Sequence, residues 1–288
     1  MELTAPGPGA GLELPLDAHL HTDLSPDANV PIDLYCALAA ERGLAELAIT
    51  DHVDFNPGLP AHGYADHATR ERSVRGAAER WSGRVAVRLG LEVTYERARE
   101  DEIRRFLERH RSDYVIGSVH VHRGSPYGHD RVAGFVAGRS LPEIVAPYFD
   151  EVEAAIRSGL FDTIGHLDFV KRYLAPLVRP AELAAAPELY EPLLRALVET
   201  GTALEVNASG LRQAAAEPYP AAPVVARYRE LGGQAVVAGS DSHAAGHFGF
   251  GLEDAYRLIA RAGFEELAFR RAPGAGRVAV PVPARFRA

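Results

Sequence analysis

A chain of 288 residues that is 47% hydrophobic and 24% charged has the make-up of a folded globular protein, and it can bury a substantial core without disulfides. Cys36 is the sole cysteine, which excludes an internal disulfide and an all-thiolate zinc site and leaves it a small buried residue in an apolar helical stretch. The balance of 31 basic against 39 acidic residues, a net charge of −8, excludes extended nucleic acid as the usual partner, because such binding needs basic surface to neutralise phosphates, but leaves a small phosphorylated ligand open.

Met1 to Gly11 has no basic n-region and no long apolar run, and no window approaches the roughly 18 uninterrupted apolar residues that a membrane helix needs. A cytoplasmic protein, with no membrane partner, is expected. In chain order, short apolar runs predict strands at 14–20, 46–50, 85–93, 114–119, 163–166, 203–206 and 235–238. Helical patterns alternate with them at 31–42, 66–81, 96–110, 141–158, 187–200, 220–231 and 252–262, followed by a short strand at 267–269. Pro31, Pro142 and Pro220 fall at or near first turns, and Gly43, Gly159, Gly201 and Gly232 fall where helices end. Such alternation implies parallel strands covered by helices, and seven or eight units favour a closed or nearly closed barrel. A single domain over 1–288 is expected, with 1–12 and 271–288 peripheral and the Pro/Gly/Arg-rich tail loosely held. Two longer loops, 53–66 and 122–139, are expected at the face that carries the site.

The polar residues cluster at the carboxyl ends of the apolar runs: Asp17-Ala18-His19-Leu20-His21 with Ser25-Pro26-Asp27, Thr50-Asp51-His52, Gly90-Leu91-Glu92, Gly117-Ser118-Val119-His120, Gly165-His166-Leu167-Asp168, Glu205-Val206-Asn207, and Gly239-Ser240-Asp241-Ser242-His243. In a parallel barrel these ends converge on one face. Side chains alternate along a strand, so His19 and His21 point one way, as do Asp241 and His243. A lone histidine at a strand end is more often a hydrogen-bonded structural group than a ligand. Six of the twelve histidines at strand ends are a different matter, since so many titratable groups would be costly to cluster without cations among them. Imidazole and carboxylate donors without thiolates suit zinc, manganese or iron, and eight or nine ligands suffice for two or three ions. His62, His67, His110, His122, His129 and His247 keep the structural reading, with His122 and His129 the nearest to exceptions. Asp17, Asp51 and Asp168 are candidates to orient ligand imidazoles.

At these motifs the sequence resembles the PHP (polymerase and histidinol phosphatase) superfamily, over nearly the whole chain and in order. The segments Leu204–Arg212, Glu217-Pro218-Tyr219-Pro220 and Gly239–His243 are similar to the histidinol-phosphate phosphatases of that superfamily. The resemblance implies a distorted (β/α)7 barrel with its site at the strand C-terminal face and a trinuclear metal centre. Carried over by position, His19, His21, Glu92 and Asp241 would hold a first metal. Glu92 would bridge to a second completed by His120 and His166, and Asp27, His52 and His243 would hold a third. Asp27 departs from the pattern, many relatives having a histidine there, and the loop 123–129 departs as well. The implied reaction is hydrolysis of a phosphate monoester, L-histidinol phosphate to L-histidinol and phosphate in histidine biosynthesis, by a hydroxide bridging the first two metals and with no phospho-enzyme. Arg212 is the candidate phosphate clamp. The alternatives are a phosphoesterase for nucleotides or short oligonucleotides and a non-catalytic, metal-stabilised module.

Overall fold

A computed structural model describes residues 11–122, 124–175 and 177–287. Its strands are β1 (Asp17–Leu20), β2 (Glu46–Ile49), β3 (His52–Val53), β4 (Ala86–Thr94), β5 (Tyr114–Ser118), β6 (Thr163–Ile164), β7 (Ala203–Asn207), β8 (Val236–Gly239), β9 (Glu266–Phe269) and β10 (Val278–Pro281). The helices are α1 (Ile32–Arg42), α2 (His67–Arg80), α3 (Glu100–Arg109), α4 (Val132–Val136), α5 (Leu141–Arg157), α6 (Lys171–Leu174), α7 (Pro180–Ala184), α8 (Glu191–Thr200), α9 (Ala222–Glu230) and α10 (Leu252–Arg261). Among them no helix is long and apolar enough to cross a membrane.

Seven strands run parallel in the order β1-β2-β4-β5-β6-β7-β8. Their residues are nearly all buried, because helices cover the outside while side chains fill the inside, and so they read as continuous apolar runs in the sequence. The sheet comes close to closing on itself. Beyond β8 a parallel bridge joins Ser242 to Leu20, and the amides of His21 and Asp241 donate to the carbonyls of Ser242 and His19 at 3.0 and 2.9 Å. The distortion of the barrel lies at Thr50-Asp51, where the chain leaves β2 and resumes as β3, so that the nine-residue β4 pairs with both. That jog sets His52 directly beside Glu92.

The expected strands and long helices form within four residues of their predicted bounds, the largest differences being at the starts of α3 and α8, where a 3-10 turn precedes the α-helix. Gly43 and Gly201 end α1 and α8 in the left-handed conformation (φ 71° and 70°), which a residue without a Cβ adopts freely. The tail departs from its reading. Residues 271–287, expected to be loosely held, are docked: β10 pairs antiparallel with β9, Val280, Val282 and Phe286 are buried, and the Arg271 guanidinium grips the buried Glu46 carboxylate. Residues 1–10 of the expected peripheral N-terminus lie outside the described residues.

One packing contact in the wall is unusually tight. The Phe161 ring lies over Gly117 in β5, where a Cβ would fall 2.2 Å from a ring carbon. Gly117→Ala is therefore expected to destabilise the fold by about 1–3 kcal/mol through overpacking. Urea unfolding at fixed metal concentration measures this, and an unchanged midpoint would show that the Phe161 ring is free to move aside.

Candidate metal centre

All nine expected metal ligands meet at the C-terminal face of the barrel. His19 and His21, fully buried at the end of β1, bring their Nε2 atoms to 3.0 Å of each other. Asp241 Oδ1 lies 3.4 Å from His21 Nε2 and 3.8 Å from His19 Nε2. The backbone bonds that nearly close the barrel are formed by these same residues, so the fold and the cluster share their contacts. His166 and Asp241 both hold positive φ, 22° and 52°, a conformation that costs non-glycine residues energy and gathers at functional sites.

Glu92 is the centre of the group. Its Oε1 accepts from His166 Nε2 at 2.9 Å and lies 3.4 Å from His120 Nε2. Its Oε2 faces His52 Nδ1 at 2.7 Å, His21 Nε2 at 3.4 Å and His19 Nε2 at 3.5 Å, yet no donor is aligned with it and it makes no hydrogen bond. Asp27, with a side chain 54% exposed, sits at the opening. Its Oδ2 is 3.5 Å from His52 Nε2 and 3.4 Å from His243 Nε2. Three triads place ligand atoms within 4.8 Å of one another: His19/His21/Asp241, His52/Glu92/His120 and His21/His52/His243.

The groups that orient these imidazoles are not the expected ones. Glu205, which the sequence reading left without a role, accepts His19 Nδ1 at 2.7 Å and the His166 amide at 2.7 Å, and leaves His19 Nε2 facing the cluster. Space for Glu205 exists because Gly239 has no side chain; a Cβ there would lie 2.4 Å from Glu205 Oε1. Thr94 meets His120 Nδ1 at 2.9 Å, and the Asp241 carbonyl meets His243 Nδ1 at 3.0 Å. Asp17, Asp51 and Asp168 touch no ligand imidazole. Asp17 accepts the Ser240 and His19 amides, Asp51 accepts Thr22 and Ser25, and Asp168 accepts Tyr190 and pairs with Lys171. A strand-end carboxylate serves a backbone N–H as well as an imidazole, and spacing does not distinguish the two.

Above the cluster opens a cavity of about 530 Å³, lined by seven of the nine together with Arg212. Its outer wall comes from Leu59, Pro60 and Ala61 on one side and Phe169, Arg172 and Tyr173 on the other. The 53–66 loop thus flanks the site as expected. The described residues of 122–139 do not, and several of them line a neighbouring cavity of about 600 Å³. His122 accepts the Gly124 amide and the His129 ring packs on Tyr173, so both stand apart from the cluster. His247, read as structural, lines the cavity mouth.

The donor set fits a divalent metal. Nitrogen and carboxylate donors converge without thiolates, and a fully buried carboxylate oxygen has no hydrogen bond while imidazole nitrogens surround it. The electrostatics agree. Burial alone would lower the pKa of His19, but Glu205, Glu92 and Asp241 hold it well above its ordinary value. His52 is raised against burial by Glu92 and Asp27, and His243 by Asp27 and Asp241. His21 goes the other way, pushed well down by burial and by His243 and His52. Burial would raise Glu92 and Asp241, but the imidazoles around them hold both well below the carboxylate range. Without metal, protons on the imidazoles supply the positive charge; metal binding displaces them.

The sign of the resulting pH dependence follows from three raised imidazoles. A raised folded-state pKa gives stability that is complete below the unfolded value, near 6.5, and is lost as pH climbs through the raised value. Chelator-treated protein is therefore expected to lose thermal stability as pH rises above about 6.5, while protein loaded with zinc or manganese stays level. Melting curves across that range test this, and parallel pH profiles for the two forms would contradict it.

The sequence matches the PHP domain family over residues 17–209. A probable histidinol-phosphatase of Deinococcus radiodurans is 32% identical over 263 residues, covering 88% of this chain and 96% of the relative. The histidinol-phosphatase of Lactococcus lactis is 26% identical over 260 residues, covering 88% and 93%. In three dimensions the chain is similar to a crystal structure of histidinol phosphate phosphatase from Lactococcus lactis complexed with zinc, L-histidinol and phosphate. The TM-score is 0.73 and the identity 24%, over 89% of this chain and 97% of that one. The chain belongs to the PHP domain family and stands among its histidinol-phosphatases.

Proposed function

We propose that this protein hydrolyses L-histidinol phosphate to L-histidinol and phosphate, with two or three divalent ions, zinc, manganese or iron, held by the nine side chains around Glu92. The observation that carries this reading is the position of Glu92, one oxygen turned to His120 and His166 and the other to His19, His21 and His52. A carboxylate so placed suits a bridge between a first metal, with His19, His21 and Asp241, and a second, with His120 and His166. Asp27, His52 and His243 form the third group at the opening, next to incoming substrate. Divalent ions, when bound, supply what a phosphate monoester otherwise denies to water: neutralised phosphate oxygens and water acidified to hydroxide near neutral pH.

The protein's own groups prepare the rest. Asp27, Glu92, Glu205 and Asp241 make the bare floor acidic, so an anionic ester is drawn in only when cations have compensated them. Arg212 donates to the Ser240 and Asp241 carbonyls, which fixes its guanidinium plane, and its other N–H groups make no hydrogen bond among the described residues. It lines the cavity, and a guanidinium so fixed suits two phosphate oxygens at once. A cavity of about 530 Å³ is the size of a small-molecule site. Its apolar outer wall of Leu59, Pro60, Phe169 and Tyr173 accommodates an imidazole ring, and the carboxylates in its lining suit the ammonium group. Supporting the assignment of substrate are the two histidinol-phosphatase relatives, each of which matches 88% of the chain.

His21→Ala and Asp241→Ala are expected to abolish phosphate release and lower metal content per folded molecule; full activity in either, after chelation and metal add-back, would end the metal-centre reading. Arg212→Ala is expected to lose about 100-fold or more in kcat/KM, as removal of a fixed donor to developing charge does, with a smaller loss of metal affinity through the Asp241 backbone it braces. Comparing turnover of L-histidinol phosphate with that of nucleoside monophosphates tests the substrate, and a preference for the nucleotides would overturn it.

A further inference from the structure

Beside the metal ligands lies a chain of hydrogen bonds that the proposed reaction has not used. The Thr94 hydroxyl donates to Asp54 Oδ1 at 2.5 Å and meets His120 Nδ1 at 2.9 Å. Thr94 follows Glu92 by two residues in β4, so both side chains leave the strand on the same side. Asp54 comes from the loop after β3. Its second oxygen, Oδ2, accepts the Ala61 amide at 3.0 Å, and its carbonyl meets His62 Nδ1 at 3.3 Å. Asp54 and Ala61 both line the substrate cavity.

The direction of these bonds is forced by the chemistry of the groups. An ionised carboxylate accepts and cannot donate, so the Thr94 hydrogen must point at Asp54. The Thr94 oxygen can then only accept from the imidazole, so the hydrogen of a neutral His120 must sit on Nδ1. That leaves the lone pair on Nε2, the atom that faces Glu92 Oε1 at 3.4 Å. From this geometry we infer that Asp54 and Thr94 are positioning residues, a carboxylate–hydroxyl relay that holds His120 in its ligating tautomer and ties the 54–61 segment of the cavity wall to that ligand. The inference rests on the reading of His120 as a metal ligand. Glu205 does the same for His19 directly; here the carboxylate acts through a hydroxyl and also anchors a wall of the cavity.

The test uses the full-length protein with zinc as the probe. Thr94→Val removes the hydroxyl at nearly constant shape, Thr94→Ser keeps it, and Asp54→Asn weakens the acceptor. Zinc affinity is measured by competition with a chromophoric chelator. Wild type and Thr94→Ser are expected to agree, while Thr94→Val and Asp54→Asn bind one class of zinc about 10- to 100-fold more weakly, the usual effect of removing a partner that orients a ligand imidazole. In the zinc-loaded protein, a downfield imidazole N–H resonance that His120→Ala eliminates is expected to persist in Thr94→Ser and vanish in Thr94→Val. Rates with L-histidinol phosphate and with p-nitrophenyl phosphate, which has no ammonium group, are expected to fall together in Asp54→Asn. A rise in KM for L-histidinol phosphate alone, with zinc affinity unchanged, would overturn the relay and make Asp54 a substrate anchor instead. Normal zinc affinity and a retained resonance in Thr94→Val, beside a defective His120→Ala, would overturn the relay alone. Undiminished zinc binding in His120→Ala would overturn the ligand reading and the relay with it.

Discussion

The carboxylate of Glu92 imposes the condition that the rest of the molecule meets. It is fully buried, five imidazole nitrogens lie within 3.5 Å of its two oxygens, and one of those oxygens has no hydrogen bond. A buried carboxylate is stable only with positive charge close to it. Imidazoles packed this closely, with the His21 ring stacked 4.2 and 4.1 Å from those of His52 and His243, cannot all be protonated, because they repel one another; burial and these two neighbours push the pKa of His21 well down. Protons can therefore satisfy the cluster only in part. Metal ions deliver more charge in less space and leave every imidazole neutral, which is why a donor set of this kind reads as a metal centre and not as a network of buried ion pairs.

The barrel is distorted where this condition requires it. A regular strand through 46–53 would carry His52 on along β2. The break at Thr50-Asp51 instead starts β3 and sets His52 against Glu92 in register. Near closure between β8 and β1 is made by the backbones of His19, His21, Asp241 and Ser242, not by a long ladder. The last bonds that bring the barrel round are thus the ones that place two ligand pairs, and loosening this seam would separate His19 and His21 from Asp241.

How much of this was legible in the sequence depends on where each signal resides. The clustered residues could be found because parallel strands are apolar throughout, and a histidine or carboxylate ending such a run stands out against its neighbours; the family resemblance then ordered them. Glu205 was visible at a strand end, but its partner His19 is 186 residues away, and nothing local shows which way its carboxylate turns. Asp54 and Thr94 were less visible still, since a threonine in a strand and an aspartate in a loop are ordinary there. Three short helices, α4, α6 and α7, span too few residues for a period to emerge. The tail misled because Pro, Gly and Arg describe a loose segment by composition. What holds it is particular to the fold: a carboxylate at Glu46 that Arg88 and Arg271 reach, and the edge of β9 with which β10 pairs.

Asp241 shows how ligation and substrate binding come to depend on a single backbone position. Its φ of 52° is unfavourable for aspartate and has to be held from outside. The His19 carbonyl accepts its amide, Arg212 donates to its carbonyl, and the Asn207 amide reaches its carboxylate at 3.3 Å. The strained backbone turns the carboxylate down toward His19 and His21 and the carbonyl outward to Arg212. The guanidinium proposed to clamp the phosphate is thereby braced on the main chain of a proposed metal ligand, so one residue's conformation, instead of two independent loops, would relate the phosphate clamp to the metal-binding carboxylate. Arg212 in turn stabilises the conformation that Asp241 needs. Each depends on the other, which makes the pair a more rigid reference for an in-line displacement than either would be alone.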